Sequence, residues 1–418
     1  MSTTARHAEQ PLQTSGQPDN AELRLAICRA AVTVLSEEYR DALDAIVLTG
    51  SMARDEATCA RESDIRRVLG DAEFLLSFKK NHQPSTGQEL LRVSQRVESL
   101  LQNQRIECSI DLGSVPPDYF SKLPPDIFSY ELKAYGKQVF GQADVLSQIP
   151  KFSVAQISRE DAWRLLCNRL LELLEYSEDL LVSDVKQTER LRYKLVKLYL
   201  DMATSFLIFK GHYAPTYAGR CANMLTLAES GTDTDGPKDL DLAEFAKLVS
   251  LCTRMKLDPE GAFPDTPMLA ARKAIRTAHS IWRWELQSLT GASASAPDKD
   301  LMREISSRQS LKQRLRGWAF AARAIGLPRS LGALPRWLWL ATKSSPRNLI
   351  YSAGTALLFD VAESTTPDRD QNQCDRHYLT QVLPIRNFAE LKLSSFDWRD
   401  LAQGIFQNYD RFVLKTRA

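Results

Sequence analysis

Three carboxylates and one Gly-Ser turn are the residues of this chain whose types and spacing suit chemistry. An apolar run, Ile46-Val47-Leu48, stops at Gly50-Ser51, and Asp71-Ala72-Glu73 later leads into a second apolar run, Phe74 to Phe78. Alternate residues of a strand face the same side, so Asp71 and Glu73 present two hard oxygen ligands together, the kind that suits Mg²⁺. Asp111 supplies a third carboxylate from the alternating run Ile106-Glu107-Cys108-Ser109-Ile110-Asp111-Leu112. A turn opening on Gly50-Ser51 offers backbone N–H groups and a hydroxyl to phosphate oxygens. These parts suit a phosphate-and-metal site, in which two divalent ions organise a phosphorylated substrate and activate the attacking oxygen.

Such residues need a sheet beneath them, and the pattern around them predicts one. Ala45 to Leu48, Asp71 to Phe78, Ile106 to Leu112 and Gln138 to Gly141 read as strands. Helical spacing fills Ala21 to Tyr39, Gly87 to Gln104 and Tyr130 to Tyr135. Residues 21–150 therefore form one α+β domain, preceded by a polar, disordered tail over 1–20. The grammar then changes. Apolar residues recur at helical spacing from Trp163 to Leu174, Thr188 to Lys210, Arg220 to Ser230, Leu240 to Met255 and Met268 to Leu289. This predicts an all-α bundle over 151–290. Small polar residues mark 291–300 as a linker, and 301–418 reads as a basic helical region.

The order Gly-Ser, then Asp-x-Glu before an apolar run, then a later strand Asp resembles the DNA polymerase beta-type nucleotidyltransferase superfamily. Gly50-Ser51-Met52-Ala53-Arg54-Asp55-Glu56 is similar to the GS-x-A-R-G-E opening of its small bacterial members, with Asp55 where Gly is usual. A helical bundle after the catalytic domain also occurs in aminoglycoside and minimal nucleotidyltransferases. The resemblance implies a mixed-sheet nucleotidyltransferase domain that moves a nucleoside monophosphate from an NTP, ATP being the expected one, to an acceptor hydroxyl. It implies two Mg²⁺ ions, with Asp71 and Glu73 as their shared ligands and Asp111 as third ligand and base. It implies that Gly50 and Ser51 position the triphosphate. Arg54, Lys194, Lys197 and Tyr217 are further candidates for nucleotide contact, and Arg220 lies near the last of these. The acceptor is not legible.

The spacing departs from that family in one respect. At its customary distance from Gly-Ser stands Glu62-Ser63-Asp64-Ile65-Arg66, where Arg66 replaces the second carboxylate. Asp71/Glu73 is preferred, because two ligands on a rigid strand are needed and a longer loop costs little. With Asp64 in the first position, the chain would be a pseudoenzyme. A non-catalytic regulatory or binding protein of this fold is the rival reading, and a membrane-surface scaffold is a third.

Composition narrows the rest. The net charge of +2 over 418 residues gives no global argument for nucleic acid. Seven scattered cysteines and five dispersed histidines form no zinc pattern and suit buried free thiols of a reducing compartment. With no secretory h-region, the expected location is the cytoplasm. From Arg303 to Arg347, ten Lys/Arg face one Glu, with Trp318, Trp337 and Trp339 interspersed. That segment suits a solvated helical face, a nucleic-acid contact, or a peripheral contact with an anionic membrane.

Overall fold

The structure is a computed structural model that describes residues 18–80, 82, 87–176, 189–231, 235–258, 261–325, 333–363, 379, 381–385 and 398–414. Most of the polar tail, residues 1–17, lies outside the described residues. The chain divides into two compact units: 1–156 with 214–223 and 253–260, and 157–213 with 224–252 and 261–418.

The first unit holds a five-stranded mixed sheet. Its strands are β1 (Leu43–Thr49), β2 (Cys59–Glu62), β3 (Ile65–Phe78), β4 (Ile106–Val115) and β5 (Lys137–Phe140). The order is β2-β3-β1-β5, with β4 parallel to β3 on its other side. Apolar alternation fixes which way each strand faces. One face buries Ile46, Leu48, Ala72, Phe74, Ile110 and Leu112 against helices α1 (Pro18–Tyr39) and α3 (Gly87–Gln102). The other buries Ala45, Val47, Leu75 and Val115 under Phe120, Leu123 and Leu132. Leu132 belongs to α4 (Ile127–Tyr135), whose first turn is capped by Asp126. Between β1 and β2, a single turn, α2 (Gly50–Ala53), carries the Gly-Ser pair.

Two sequence expectations for the sheet are corrected. The strand predicted from Asp71 starts at Ile65, and Cys59–Glu62 is a strand where none was expected. Arg66, Arg67 and Gly70 are poor strand formers alone, but the ladder pairs Arg66 and Arg67 with β2 on one side and β4 on the other. Strand preference follows such pairing more than intrinsic propensity.

The second unit is helical. Its described helices include α5 (Arg159–Leu173), α6 (Glu189–Lys210), α9 (Pro267–Thr290), α13 (Pro346–Glu363) and α14 (Trp398–Tyr409). Two shorter helices, α7 (Tyr217–Ser230) and α8 (Leu242–Leu257), precede α9 in sequence, with part of each assigned to either unit. Helix α5 packs on α6, α9 and α13. Trp163 of α5 meets Tyr351 of α13 edge to face, with ring centroids 5.7 Å apart. The approach is close enough that a Cβ at Gly354 would lie 2.7 Å from Leu171, so only glycine fits there.

The predicted linker over 291–300 is not a spacer. Gly291 adopts the left-handed conformation that ends α9, its N–H donating to the Gln287 carbonyl at 2.7 Å. The chain then returns along the same helix. Asp298, first residue of α10 (Asp298–Ser307), pairs with His279 at 2.7 Å and with Arg283. Residues 301–418 accordingly belong to the same unit as the bundle. Small polar residues serve a tight return as well as a flexible spacer; the ion pairs to α9 decide between them. No described helix is long and apolar enough to cross a membrane. Six described cysteines are free, five of them buried, and burial pushes the Cys28 thiol up to about 11 and Cys108 up to about 12. Cys374 lies outside the described residues.

Deep in the second unit, Glu285 of α9 is fully buried and accepts one hydrogen bond, 2.5 Å from the Ser205 hydroxyl. Its other oxygen has no hydrogen-bond partner among the described residues. Burial pushes its carboxyl up to about 8, so the fold prefers the neutral acid. Raised in the folded state, this pKa means that the folded chain binds a proton the unfolded chain releases. The acid's contribution to stability is complete below about 4.5 and is lost as pH rises through that value towards about 8. Urea denaturation across this window should show stability falling with pH. Glu285→Gln should flatten the slope and be more stable than the parent at the alkaline end.

Candidate active site

The three carboxylates and the Gly-Ser turn meet through strand register. Asp71 and Glu73 are alternate residues of β3, and Glu73 lies opposite Asp111 of the parallel strand β4. Adjacent strands stand about 4.8 Å apart and alternate residues about 7 Å, so the three side chains leave one patch of one face. That face is the one covered by Phe120 and Leu132 farther along, and the cover stops short of them. Asp71 and Asp111 are exposed and Glu73 is half-buried.

On the other side of β3, Thr49 at the end of β1 pairs with Glu73, which sets Gly50 beside the Glu73 carboxylate. Gly50 has φ +70°, and a Cβ on it would lie 2.8 Å from Glu73 Oε1. The left-handed backbone favours glycine, and the Glu73 carboxylate fills the space a side chain would take. Asp55, where the resembled pattern has Gly, also has a left-handed backbone at φ +62°. Aspartate tolerates that region, and its carboxylate is held by Arg24 and by Lys137 at 2.8 Å.

Asp64 stands elsewhere. It occupies the two-residue turn joining β2 to β3, where Ser63 takes φ +56°, and it pairs with Arg105 in solvent. Roughly 25 Å of strand separates that turn from Glu73. Arg66 stands in register with Arg61 across the hairpin.

Arg54 and Tyr217 come together, but in a buried network rather than on the open face. Glu56, only 2% exposed, accepts the Tyr217 backbone N–H at 2.6 Å and so caps the start of α7. This explains why the helix begins at Tyr217 rather than at Arg220 as its apolar spacing suggests. Arg54 bonds Glu56 at 3.2 Å and Glu131 of α4, and lies 5.5 Å from the centre of the Tyr217 ring. Arg220 lies 4.5 Å from that centre and reaches Glu131 at 3.3 Å. Burial raises the Glu56 pKa, with Arg54, Arg220 and the Tyr217 N–H pulling against it. Burial alone would lower Arg54, but Glu131, Tyr217 and Glu56 carry it upward. Lys256 is 2% exposed, and burial lowers its pKa. Glu131 and Lys256 were missed by sequence reasoning, for neither sits in a motif and both are remote in sequence from Arg54.

Lys194 and Lys197 lie in the second unit, in an ion network of its own. Lys194 bonds Glu172 at 3.0 Å, and Arg169 bonds Glu172 and Asp201, both at 2.6 Å. Burial would raise Glu172, but Arg169, Lys197 and Lys194 outweigh it and hold the carboxyl at about 2. The Arg169 charge, with burial, lowers Lys197.

For a metal, the donor set on the sheet fits in kind: three carboxylates of one face offer hard oxygens. As the side chains lie, no three His, Cys, Asp or Glu among the described residues stand close enough together to hold an ion. Comparison with protein-family models, with curated proteins and with solved structures finds no match.

The buried network carries a stability prediction. Glu56→Ala would leave Arg54 and Arg220 facing a cavity and uncap α7, at a cost of roughly 3–5 kcal/mol. Urea denaturation should show that loss, whereas Glu56→Gln, which keeps an oxygen for the Tyr217 N–H, should lose less.

Proposed function

We propose that the chain is a Mg²⁺-dependent nucleotidyltransferase that moves a nucleoside monophosphate from an NTP to an acceptor hydroxyl. The observation that carries this reading is the placement of Asp71, Glu73 and Asp111 on one open patch, with Gly50 against the Glu73 carboxylate. The left-handed backbone at Asp55, where the resembled pattern has Gly, supports it further. The reading also takes the first unit's mixed sheet as a nucleotidyltransferase fold and ATP as the nucleotide.

In the proposed reaction, the acceptor oxygen forms a bond to the α-phosphorus and the bond from that phosphorus to the bridging oxygen breaks. Pyrophosphate leaves, and Asp111 takes the acceptor proton. Asp71 and Glu73 would hold Mg²⁺, with Asp111 as third ligand, and bound Mg²⁺ would neutralise triphosphate charge and favour ionisation of the acceptor hydroxyl. Gly50 lies against the Glu73 carboxylate, and the Glu73 backbone is held between Thr49 of β1 and Asp111 of β4. Such positioning is what in-line transfer requires of the protein.

The rival reading, a protein that binds nucleotide without transferring it, draws on Arg66 standing where the resembled pattern has its second carboxylate. One experiment separates them. Incubation with each NTP and a cell extract should release pyrophosphate with Mg²⁺ and label an acceptor. Asp71→Asn should abolish the release while far-UV circular dichroism stays unchanged. Calorimetric binding of ATP with no pyrophosphate from the parent chain would favour the rival, and full activity of Asp71→Asn would refute the assignment. Gly50→Ala, which forces the Glu73 carboxylate aside, should lower the rate by on the order of tenfold or more.

A further inference from the structure

We propose that the helices α11 (Leu311–Ile325) and α12 (Ala333–Lys343) bind the surface of an anionic lipid bilayer. This inference is independent of the catalytic reading. It starts from an uneven distribution. Eleven large hydrophobic residues are exposed among the described residues, and six of them lie on these two helices. Leu311 and Leu315 stand one turn apart on α11, on the same stripe as Trp318, and Phe320 lies on the opposite side of the helix. Leu334 and Leu338 stand one turn apart on α12, beside Trp339. Leu311 and Leu338 are each 60% exposed and Trp339 is 52% exposed. Scattered apolar residues are normal on a protein surface, but a concentration of this kind marks a contact site.

Each helix is also anchored by a buried tryptophan. Trp318 and Trp337 meet with their rings tilted and ring centres 5.1 Å apart. Their indole N–H groups donate to the Ser344 and Pro384 carbonyls, each at 3.0 Å. Both helices are thereby fixed from within, and their exposed leucines and Trp339 are presented on a settled frame.

Charge selects the partner. From Ile305 to Phe359 the sequence has nine Lys/Arg and no Asp or Glu. Several of these are used internally: Arg314 donates to the Thr342 carbonyl, and Arg336 to that of Gln381. Lys312, Arg316, Arg323 and Lys343 are exposed. Two of them lie over exposed aromatic rings. The Arg316 guanidinium is 5.4 Å from the centre of Phe320, and the Lys343 ammonium is 5.7 Å from that of Trp339. An aromatic ring beneath a cation matches the bilayer interface, where the ring sits at headgroup depth and the charge meets lipid phosphate. A nucleic acid would use the cations but gain nothing from Leu311, Leu315, Leu334 and Leu338. A second copy of the same face would bring cations against cations.

The test is flotation of the full chain with phosphatidylcholine vesicles, with and without phosphatidylglycerol. Binding is expected only with phosphatidylglycerol and should weaken as salt rises. Lys312→Glu with Arg316→Glu should reduce partitioning by on the order of tenfold or more. Leu338→Ser with Trp339→Ser should reduce it comparably, with thermal stability unchanged because both side chains are exposed. Four results would overturn the proposal: no flotation with anionic vesicles at low salt; binding unaltered by either double variant; binding to a homopolymeric RNA that persists in Leu338→Ser/Trp339→Ser without vesicle binding; or concentration-dependent dimerisation that the same variant abolishes while vesicle binding is absent.

Discussion

The register of β3 between its neighbours is the constraint on which the first unit depends. With Glu73 opposite Thr49 on one side and Asp111 on the other, a single pairing decides which residues enter the core and which three carboxylates share the open face. A slip of one residue would exchange the faces, sending Asp71 and Glu73 under α1 and α3 and exposing Ala72 and Phe74. The apolar residues of β3 and β4 make that slip expensive, so the hydrophobic core fixes the geometry of the charged patch. Gly50 adds a local restraint, since the Glu73 carboxylate occupies the space where its side chain would be.

Buried charge is the second organising feature, and each unit has its own set. In the first, Arg54, Glu56, Glu131 and Arg220 surround Tyr217. In the second, Arg169, Glu172, Lys194 and Asp201 form a chain. Such networks contribute little net stability, because removing ions from water costs about what their pairing returns. Their effect is on uniqueness: each buried ion accepts only an arrangement that supplies its partners. The Glu56 carboxylate, by capping Tyr217, ties a helix start to residues distant from it in sequence. Glu285 follows a different course, being kept neutral rather than paired.

The C-terminal region shows how one residue class can serve two ends. Trp318 and Trp337 point inward and have their N–H groups bonded, while Trp339 faces outward beneath a lysine. The arginines divide in the same way, Arg314 and Arg336 bonding backbone carbonyls and Arg316 remaining at the surface. A count of basic residues and tryptophans treats all of these alike. Only the packing separates those that hold the helices in place from those presented to a partner.

Periodicity alone determined much of this protein. It gave the helices α1, α3, α5, α6 and α9 within a few residues, and the strands β1, β4 and β5. Period-2 and period-3.6 patterns are local, so they survive in the sequence without knowledge of partners. The placement of Asp71 and Glu73 on one side of a strand was legible for the same reason. Tertiary structure decided the rest. The hairpin of β2 with the start of β3 depends on ladder partners rather than on the propensities of Arg66 and Gly70. The folded-back course of residues 291–300 depends on His279 and Arg283 of α9. The inward turn of Arg54 depends on Glu131, whose position in sequence gives no hint of it. Contacts between distant residues leave no period, and it was such contacts that set Asp64 at a hairpin turn and Glu73 beside Gly50.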